Sequence, residues 1–275
     1  MKVSLIIPTY KDTVALKLIL DALEFQTYKN FEILIAEDDD SIETKLLLKN
    51  YKSSYEITHY SHENIGNRKP KAVNNCIVLS KGDYIILIDG DTIPFTTFIE
   101  YHVLLAEQRK ALCGRRVNLG DKVSADLRNN IVTAFNLEKN YLRNYLYLNK
   151  DNIRHYEQGF SFHPYSKIYN FLAKNNKNVH IVASNFSCFK SDILEVNGID
   201  ESLPFAPSRD DTDLEWRLEA IGVKMKSIKY CANLFHLNHE RIDRKNEDEK
   251  NRLIIKQKQE KNEYKARKGI NQYVS

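Results

Sequence analysis

Tyr84-Ile85-Ile86-Leu87-Ile88-Asp89-Gly90-Asp91 carries five apolar residues straight into two carboxylates that flank a glycine. An unbroken apolar run, without the in-and-out alternation of a half-exposed strand, reads as a strand buried on both faces, as in parallel sheets covered by helices. In open α/β sheets, ligands gather at the carboxyl ends of such strands. Two hard oxygen donors at that end suit a divalent cation that holds phosphates. Asp-Gly is also a strong hairpin signal. A proline at position 94, so soon after the acids, makes a poor start for a paired return strand and favours the metal reading.

Outward from this stretch, the preceding residues alternate strand and helix. Val3 to Ile7 is a β-branched run closed by Pro8, and Thr13 to Leu23 places Leu16, Ile19, Leu20 and Leu23 on one helical face. Phe31 to Ala36 reads as the next strand, ending in Glu37-Asp38-Asp39-Asp40, after which Ser41 can cap a helix to about Lys49. Tyr55 to Tyr60 reads as a short strand and Lys71 to Ser80 as a helix. Strands and helices at this pitch imply right-handed crossovers and a mostly parallel sheet. The polar residues after the first, second and fourth strands, Pro8-Thr9-Tyr10, Glu37-Asp38 and Asp89-Gly90-Asp91, then share one rim and form a pocket.

Beyond Asp91 the pattern loosens. Phe98 to Lys110 reads as a helix and Ala111 to Val117 as a strand, while Ser124 to Asn175 is rich in Asn, Tyr and Lys without clear period. Order returns at Val179 to Asn185. Ser191 to Val196 and Asp211 to Ile221 read as helices stopped by Gly198 and Gly222, and a last strand lies within Val223 to Phe235.

At 275 residues the chain suits one large domain with an appendage. The net charge of +4 is uneven: from Arg241 onward eleven Lys and Arg face six acids, so the body is slightly acidic. The division expected is a catalytic body over residues 1–240 and a basic helical tail over 241–275. The tail reads as a solvated, charged helix, with peripheral membrane attachment as the second reading. An acidic body without a basic groove argues against nucleic acid. Cys76, Cys113, Cys188 and Cys231 are widely spaced and form no C-x-x-C pair, as expected of apolar fillers in a reducing compartment. The apolar stretch after Met1 is too short for a signal peptide or a spanning helix, which points to a cytoplasmic protein, at the inner face of the membrane if the tail attaches. Asn185-Phe186-Ser187 fits a glycosylation sequon that such a compartment would leave unused. Neither a G-x-G-x-x-G after the first strand nor a G-x-x-x-x-G-K-[ST] is present, so phosphates here would need a metal.

In order, Ile6-Ile7-Pro8-Thr9-Tyr10, Phe31 to Asp38, Asn64-Ile65-Gly66 with Lys71-Ala72-Val73-Asn74, Asp89-Gly90-Asp91, and Asp210-Asp211-Thr212-Asp213-Leu214 with Arg217-Leu218 resemble a family 2 glycosyltransferase of the GT-A fold. The resemblance covers residues 1–240. It implies a single Rossmann-like, mostly parallel twisted sheet flanked by helices, followed here by the charged helical tail. It implies that Pro8, Thr9, Tyr10 and Asp38 contact the base and ribose of a nucleotide-sugar donor, that the helix carrying Lys71 and Asn74 borders it, and that Asp89, Gly90 and Asp91 form the D-x-D motif. Asp91 would then ligate Mn²⁺ or Mg²⁺, with Asp89 holding ribose and metal waters. His236 or His239 would complete the metal shell or touch the diphosphate, with a structural or surface role as the other reading of each. Asp211, with Asp210 in reserve, would deprotonate the acceptor hydroxyl in an inverting displacement, although an Asp before an apolar helical face is also an ordinary N-cap. Arg115, Ser184 and Asn185 are further candidates for the pocket wall.

Two departures stand out: Glu37-Asp38-Asp39-Asp40 replaces the usual pair of aspartates followed by glycine and serine, and Asp210 stands where a glutamate is common. Both keep the charge. The function expected is transfer of a sugar, UDP-linked by family precedent, to a hydroxyl of a carbohydrate or glycolipid, as in surface polysaccharide assembly. A sugar nucleotidyltransferase would show a glycine-rich basic loop where Pro8-Thr9-Tyr10-Lys11-Asp12 stands. A non-catalytic carbohydrate-binding protein would have no reason to keep costly clustered acids.

Overall fold

The computed structural model describes residues 1–151, 153–174, 179–203, 209–240 and 245–273. Its first part alternates β1 (Val3–Thr9), α1 (Thr13–Leu23), β2 (Phe31–Glu37), α2 (Ile42–Asn50), β3 (Ile57–Tyr60), α3 (Lys69–Leu79) and β4 (Tyr84–Ile88). Every residue of β1, β2 and β4 is buried. Ser41 caps α2 as its sequence position implies, its hydroxyl oxygen accepting the Thr44 N–H at 3.1 Å. β1 runs parallel to both β2 and β4, and β2 to β3. Side chains alternate across the sheet: Leu5, Ile7, Ile33, Ile35, Ile86 and Ile88 pack with α1, while Ile6, Leu34, Ile85 and Leu87 pack with α3 on the other face. This is the α/β architecture expected.

The chain continues through β5 (Thr92–Pro94), α4 (Phe98–Leu105), β6 (Lys110–Cys113), β7 (Val117–Asn118), α5 (Asp121–Arg128), α6 (Ala134–Lys139), α7 (Tyr145–Asn149), α8 (Lys167–Lys174), β8 (Asn185–Phe189), α9 (Lys190–Glu195), α10 (Asp210–Ala220), β9 (Lys224–Ser227), β10 (Leu234–His236) and α11 (Lys245–Glu260). The large sheet has the order β3-β2-β1-β4-β8-β6-β9, with β8 antiparallel to β4 and β6. A second sheet, β5-β10-β7, has no counterpart in the sequence analysis. It arises because the segment read as one strand, Ala111 to Val117, breaks after Cys113. A Cβ on Gly114 would lie 2.1 Å from the Asn185 side chain, so the chain passes close under Asn185 and leaves the large sheet for the small one. The helix begun at Phe98 ends at Leu105 rather than Lys110, and the strand near Val179 begins only at Asn185. Its polar Ser187 is tolerated in the core because its hydroxyl bonds both Tyr84 Oη at 2.8 Å and His102 Nδ1 at 2.7 Å.

Residues 241–244, at the start of the basic tail, lie outside the described residues, but α11 docks on the body. Asn251, Ile255 and Lys258 turn inward along one face. The Lys258 ammonium sits 2.5 Å from Asp200 and 2.6 Å from Asp213 of α10, and none of the three side chains is exposed above 1%. An ammonium stripped of water persists only where carboxylates meet it. Among the described residues, no helix is long and apolar enough to cross a membrane. The four cysteines are free and buried, as expected of apolar fillers.

Candidate active site

The carboxyl ends of β1, β2 and β4 open into a cavity of about 610 Å³ lined by Pro8, Thr9, Tyr10, Asp12, Asp38, Asn64, Lys69, Asp89, Gly90, Asp91, Arg116, Arg128, His236 and His239. The predicted rim is therefore one space. Gly90 is required sterically: a Cβ there would lie 2.2 Å from the Pro8 carbonyl oxygen, so only glycine lets the turn after β4 press against the end of β1. Asp38 accepts the Arg68 N–H with both oxygens, at 3.0 and 2.9 Å, which orders the loop leading into α3. Burial raises its carboxyl despite those bonds. The Tyr10 ring is half exposed at the mouth, with its hydroxyl accepting a 3.3 Å bond from Asn64.

Asp91 lies between two imidazoles. Its Oδ2 is 3.4 Å from Nε2 of His236 and 3.4 Å from Nε2 of His239. Its Oδ1 is buried without a hydrogen-bond partner, and one donor atom from each of the three residues lies within 4.8 Å of the others. His236 comes from the small sheet, where antiparallel pairing of β10 with β5 sets it opposite Thr92. Both histidines read from the sequence thus converge on the second D-x-D acid, through a sheet the sequence did not announce.

Asp89 is oriented differently. Lys69 Nζ donates to its Oδ1 at 2.8 Å and Arg116 Nη1 lies 3.7 Å from its Oδ2. Burial would raise the Asp89 carboxyl, but Lys69, Arg116 and His236 outweigh it and hold it below the usual carboxylate range.

Asp210 and Asp211 open α10 and line a narrow recess with Ile181, Leu214 and Lys69, the last also facing the main cavity. Burial drives the Asp210 carboxyl up to about 6 against the pull of Lys69, with the charges of Asp211 and Asp89 adding to the rise. Asp211 is also raised by burial, and its Oδ1 accepts the Thr212 N–H at 2.7 Å, as Asp210 Oδ1 accepts the Asp211 N–H at 3.0 Å. Of the pair, Asp210 has the electrostatics of a general base working near neutral pH.

Lys71 and Asn74 do not line the cavity. The Asn74 amide donates to the Ile199 carbonyl and accepts the Ile199 N–H, both at 2.8 Å, and so fastens α3 to the loop before α10. The lysine that reaches the cavity is Lys69, two residues closer to the loop. Arg115 turns to the carbonyls of Gly114 and His180. Its neighbour Arg116 enters the cavity and is steadied by Ser184, whose hydroxyl accepts a 2.7 Å bond. Asn185 spans the carbonyls of Arg115 and Ala232, both at 2.8 Å, and ties the two sheets together behind the site. Arg128 of α5 forks onto Asp12 at 2.9 and 2.8 Å. No local signal marked Arg116 or Arg128; Lys69 was visible as the last cation before the helix proline.

Residues 4–190 match the family model described as glycosyl transferase family 2. The chain belongs to that family. Among its relatives, it is 29% identical over 110 residues to Bacillus subtilis EpsE, described as a glycosyltransferase, a match covering 40% of each chain. It is 31% identical over 94 residues to the poly(ribitol-phosphate) beta-glucosyltransferase of Bacillus spizizenii, covering 33% of this chain and 15% of that one. It therefore spans less than half the length of these curated relatives. In three dimensions it is similar to S. aureus TarS, with a TM-score of 0.62 at 11% identity over 94% of this chain and 39% of TarS. It also resembles the mannosyltransferase PcManGT of Pyrobaculum calidifontis, solved with GDP-Man and Mn²⁺, with a TM-score of 0.56 at 14% identity over 87% of this chain and 58% of that one. Those likenesses show the GT-A fold.

Proposed function

We propose that this chain is an inverting glycosyltransferase that moves a sugar from a nucleoside diphosphate donor to a hydroxyl of a carbohydrate or glycolipid acceptor. The observation that carries the reading is the buried, partnerless Asp91 Oδ1 beside two imidazoles at the mouth of a 610 Å³ cavity. A buried carboxylate oxygen without a donor is costly unless a ligand completes it. One carboxylate and two imidazole nitrogens fit a divalent cation, and nitrogen donors favour Mn²⁺ over oxygen-seeking Mg²⁺. When bound, that ion would neutralise charge developing on the departing diphosphate.

The protein's own groups supply the rest. Tyr10 and Asp38 suit the base and ribose, and Lys69, Arg116 and Arg128 surround the space for phosphates. Asp210, rather than the Asp211 favoured by sequence, is the group proposed to take the acceptor proton while the sugar is displaced directly. UDP-GlcNAc bound by TarS 1-349 and GDP-Man bound by PcManGT make UDP- and GDP-sugars the first donors to examine. The relatives named as a poly(ribitol-phosphate) glucosyltransferase and a glucosyltransferase acting on a diphosphoundecaprenol-linked glycan support a polymer or lipid-linked acceptor. The test is turnover of a panel of nucleotide sugars with Mn²⁺, with Mg²⁺ and with EDTA. One donor consumed only with metal, and no longer consumed by Asp91→Asn, is expected; metal-independent turnover overturns the reading.

A further inference from the structure

The segment from Lys139 to Lys150, which runs from the end of α6 through α7, is apolar on both sides. Inward, Leu148 is fully buried, and Tyr141 is stacked on Tyr156 with ring centroids 4.8 Å apart. Outward, Leu142 and Leu146 are 70% and 69% exposed and Tyr145 is 45% exposed. Bonds from Asn144 N–H to Asn140 O at 2.9 Å and from Leu148 N–H to Asn144 O at 2.8 Å wind the segment helically. Positions 142, 145 and 146 are thereby neighbours on one face. Ile131, just past the end of α5, is 69% exposed as well. Its N–H bonds the Asp126 carbonyl at 2.8 Å, while Tyr147 donates to the Asp126 carboxylate. Contiguous outward aliphatics of this kind mark a docking surface.

Charge says what docks. The segment holds Lys139, Arg143 and Lys150 and no acid. Lys139 lies over the Phe135 ring at 4.3 Å, and among the described residues neither Arg143 nor Lys150 has an ion-pair partner. The flanking acids face inward: Glu138 accepts the N–H and hydroxyl of Thr96, and Asp151 accepts the N–H groups of Lys122 and Val123. Three cations of one sign would repel a second copy of the same surface. They complement the phosphates of anionic lipid, while leucine and tyrosine suit the boundary beneath the headgroups.

We propose that this surface binds the face of an anionic bilayer, and that it does so in place of the basic tail, whose Ile255 and Lys258 are spent inside the fold. Tyr147 ties the segment to α5, which carries Arg128 at the wall of the donor cavity. Docking here brings that cavity beside the membrane, where a lipid-linked acceptor would be displayed.

The test is co-sedimentation of the full chain with vesicles of phosphatidylglycerol and phosphatidylcholine, or of phosphatidylcholine alone; no donor or metal is needed, so the result is independent of the catalytic reading. Binding to the anionic vesicles only is expected, falling about fivefold or more in Leu142→Ser/Leu146→Ser and in Arg143→Glu/Lys150→Glu. The second variant alters exposed charges alone and should keep the native melting temperature. Absence of binding by the unaltered chain, undiminished binding by either variant, or equal binding to neutral vesicles overturns the proposal. So does a concentration-dependent dimer that the leucine variant abolishes without any vesicle binding.

Discussion

Lys69 Nζ stands 2.8 Å from Asp89 Oδ1 and feels the charges of Asp210 and Asp91 as well. One ammonium therefore links the D-x-D side of the site to the acid pair on α10. Replacing it with Met should cost on the order of ten- to hundredfold in kcat/KM, the scale of a lost charged hydrogen bond. Because Lys69 opposes the rise of Asp210, its loss should also move the acidic limb of the pH profile to higher pH. A rate profile of Lys69→Met that keeps the original limb would show that the two groups are uncoupled.

Asp210 can accept a proton only when ionised, and its carboxyl sits at about 6. Transfer should therefore be fully developed above neutrality and fall as pH drops through about 6. Asp210→Asn should lose about 10²- to 10⁴-fold in kcat, while Asp211→Asn keeps most of its activity. The reverse ranking in steady-state assays would return the role to Asp211.

Asp91→Asn should weaken Mn²⁺ binding, followed by electron paramagnetic resonance or calorimetry, by at least tenfold. His236→Ala should do more harm than His239→Ala. The His236 side chain is 11% exposed and fixed by β10, while that of His239 is 52% exposed and free to be replaced by water. Unchanged Mn²⁺ affinity in Asp91→Asn would remove the ion from this seat.

Lys258→Met should leave Asp200 buried without its cation, while Asp213 keeps the buried Arg217 guanidinium 2.7 Å away, at a cost of about 3–5 kcal/mol, read as a fall in melting temperature on the order of 10 °C. Burial alone would raise the Asp200 carboxyl, but Lys258 and Ser202 hold it at about 2. Since that lies below the unfolded value of about 3.9, this group's stabilisation is complete above about pH 4 and is lost as pH falls toward 2. Denaturant titrations between those limits should show the decline in the native chain and little of it in Lys258→Met.

What could be read from sequence was what is local in sequence. Apolar runs ending in polar residues gave β1, β2 and β4 and placed Thr9, Asp38, Asp89 and Asp91 on one rim, because strand direction fixes which end is shared. Lys71 and Asn74 were placed at the pocket because they lie on the right helix, but helical phase turns Asn74 toward Ile199 and brings Lys69 forward instead. Arg116 and Arg128 arrive by long-range packing that leaves no local pattern. The tail misled for another reason. Its composition is that of a solvated helix, and burial of Lys258 depends on two acids more than forty residues away.

The pairing of His236 with Thr92 across β10 and β5 also has a consequence for assembly. The early part of the polypeptide supplies the acid, yet the histidines join it only when β10, the last strand among the described residues, is in place. A cation lodged there would clasp the two ends of the chain's folding history together, so that heat resistance should climb with ion concentration.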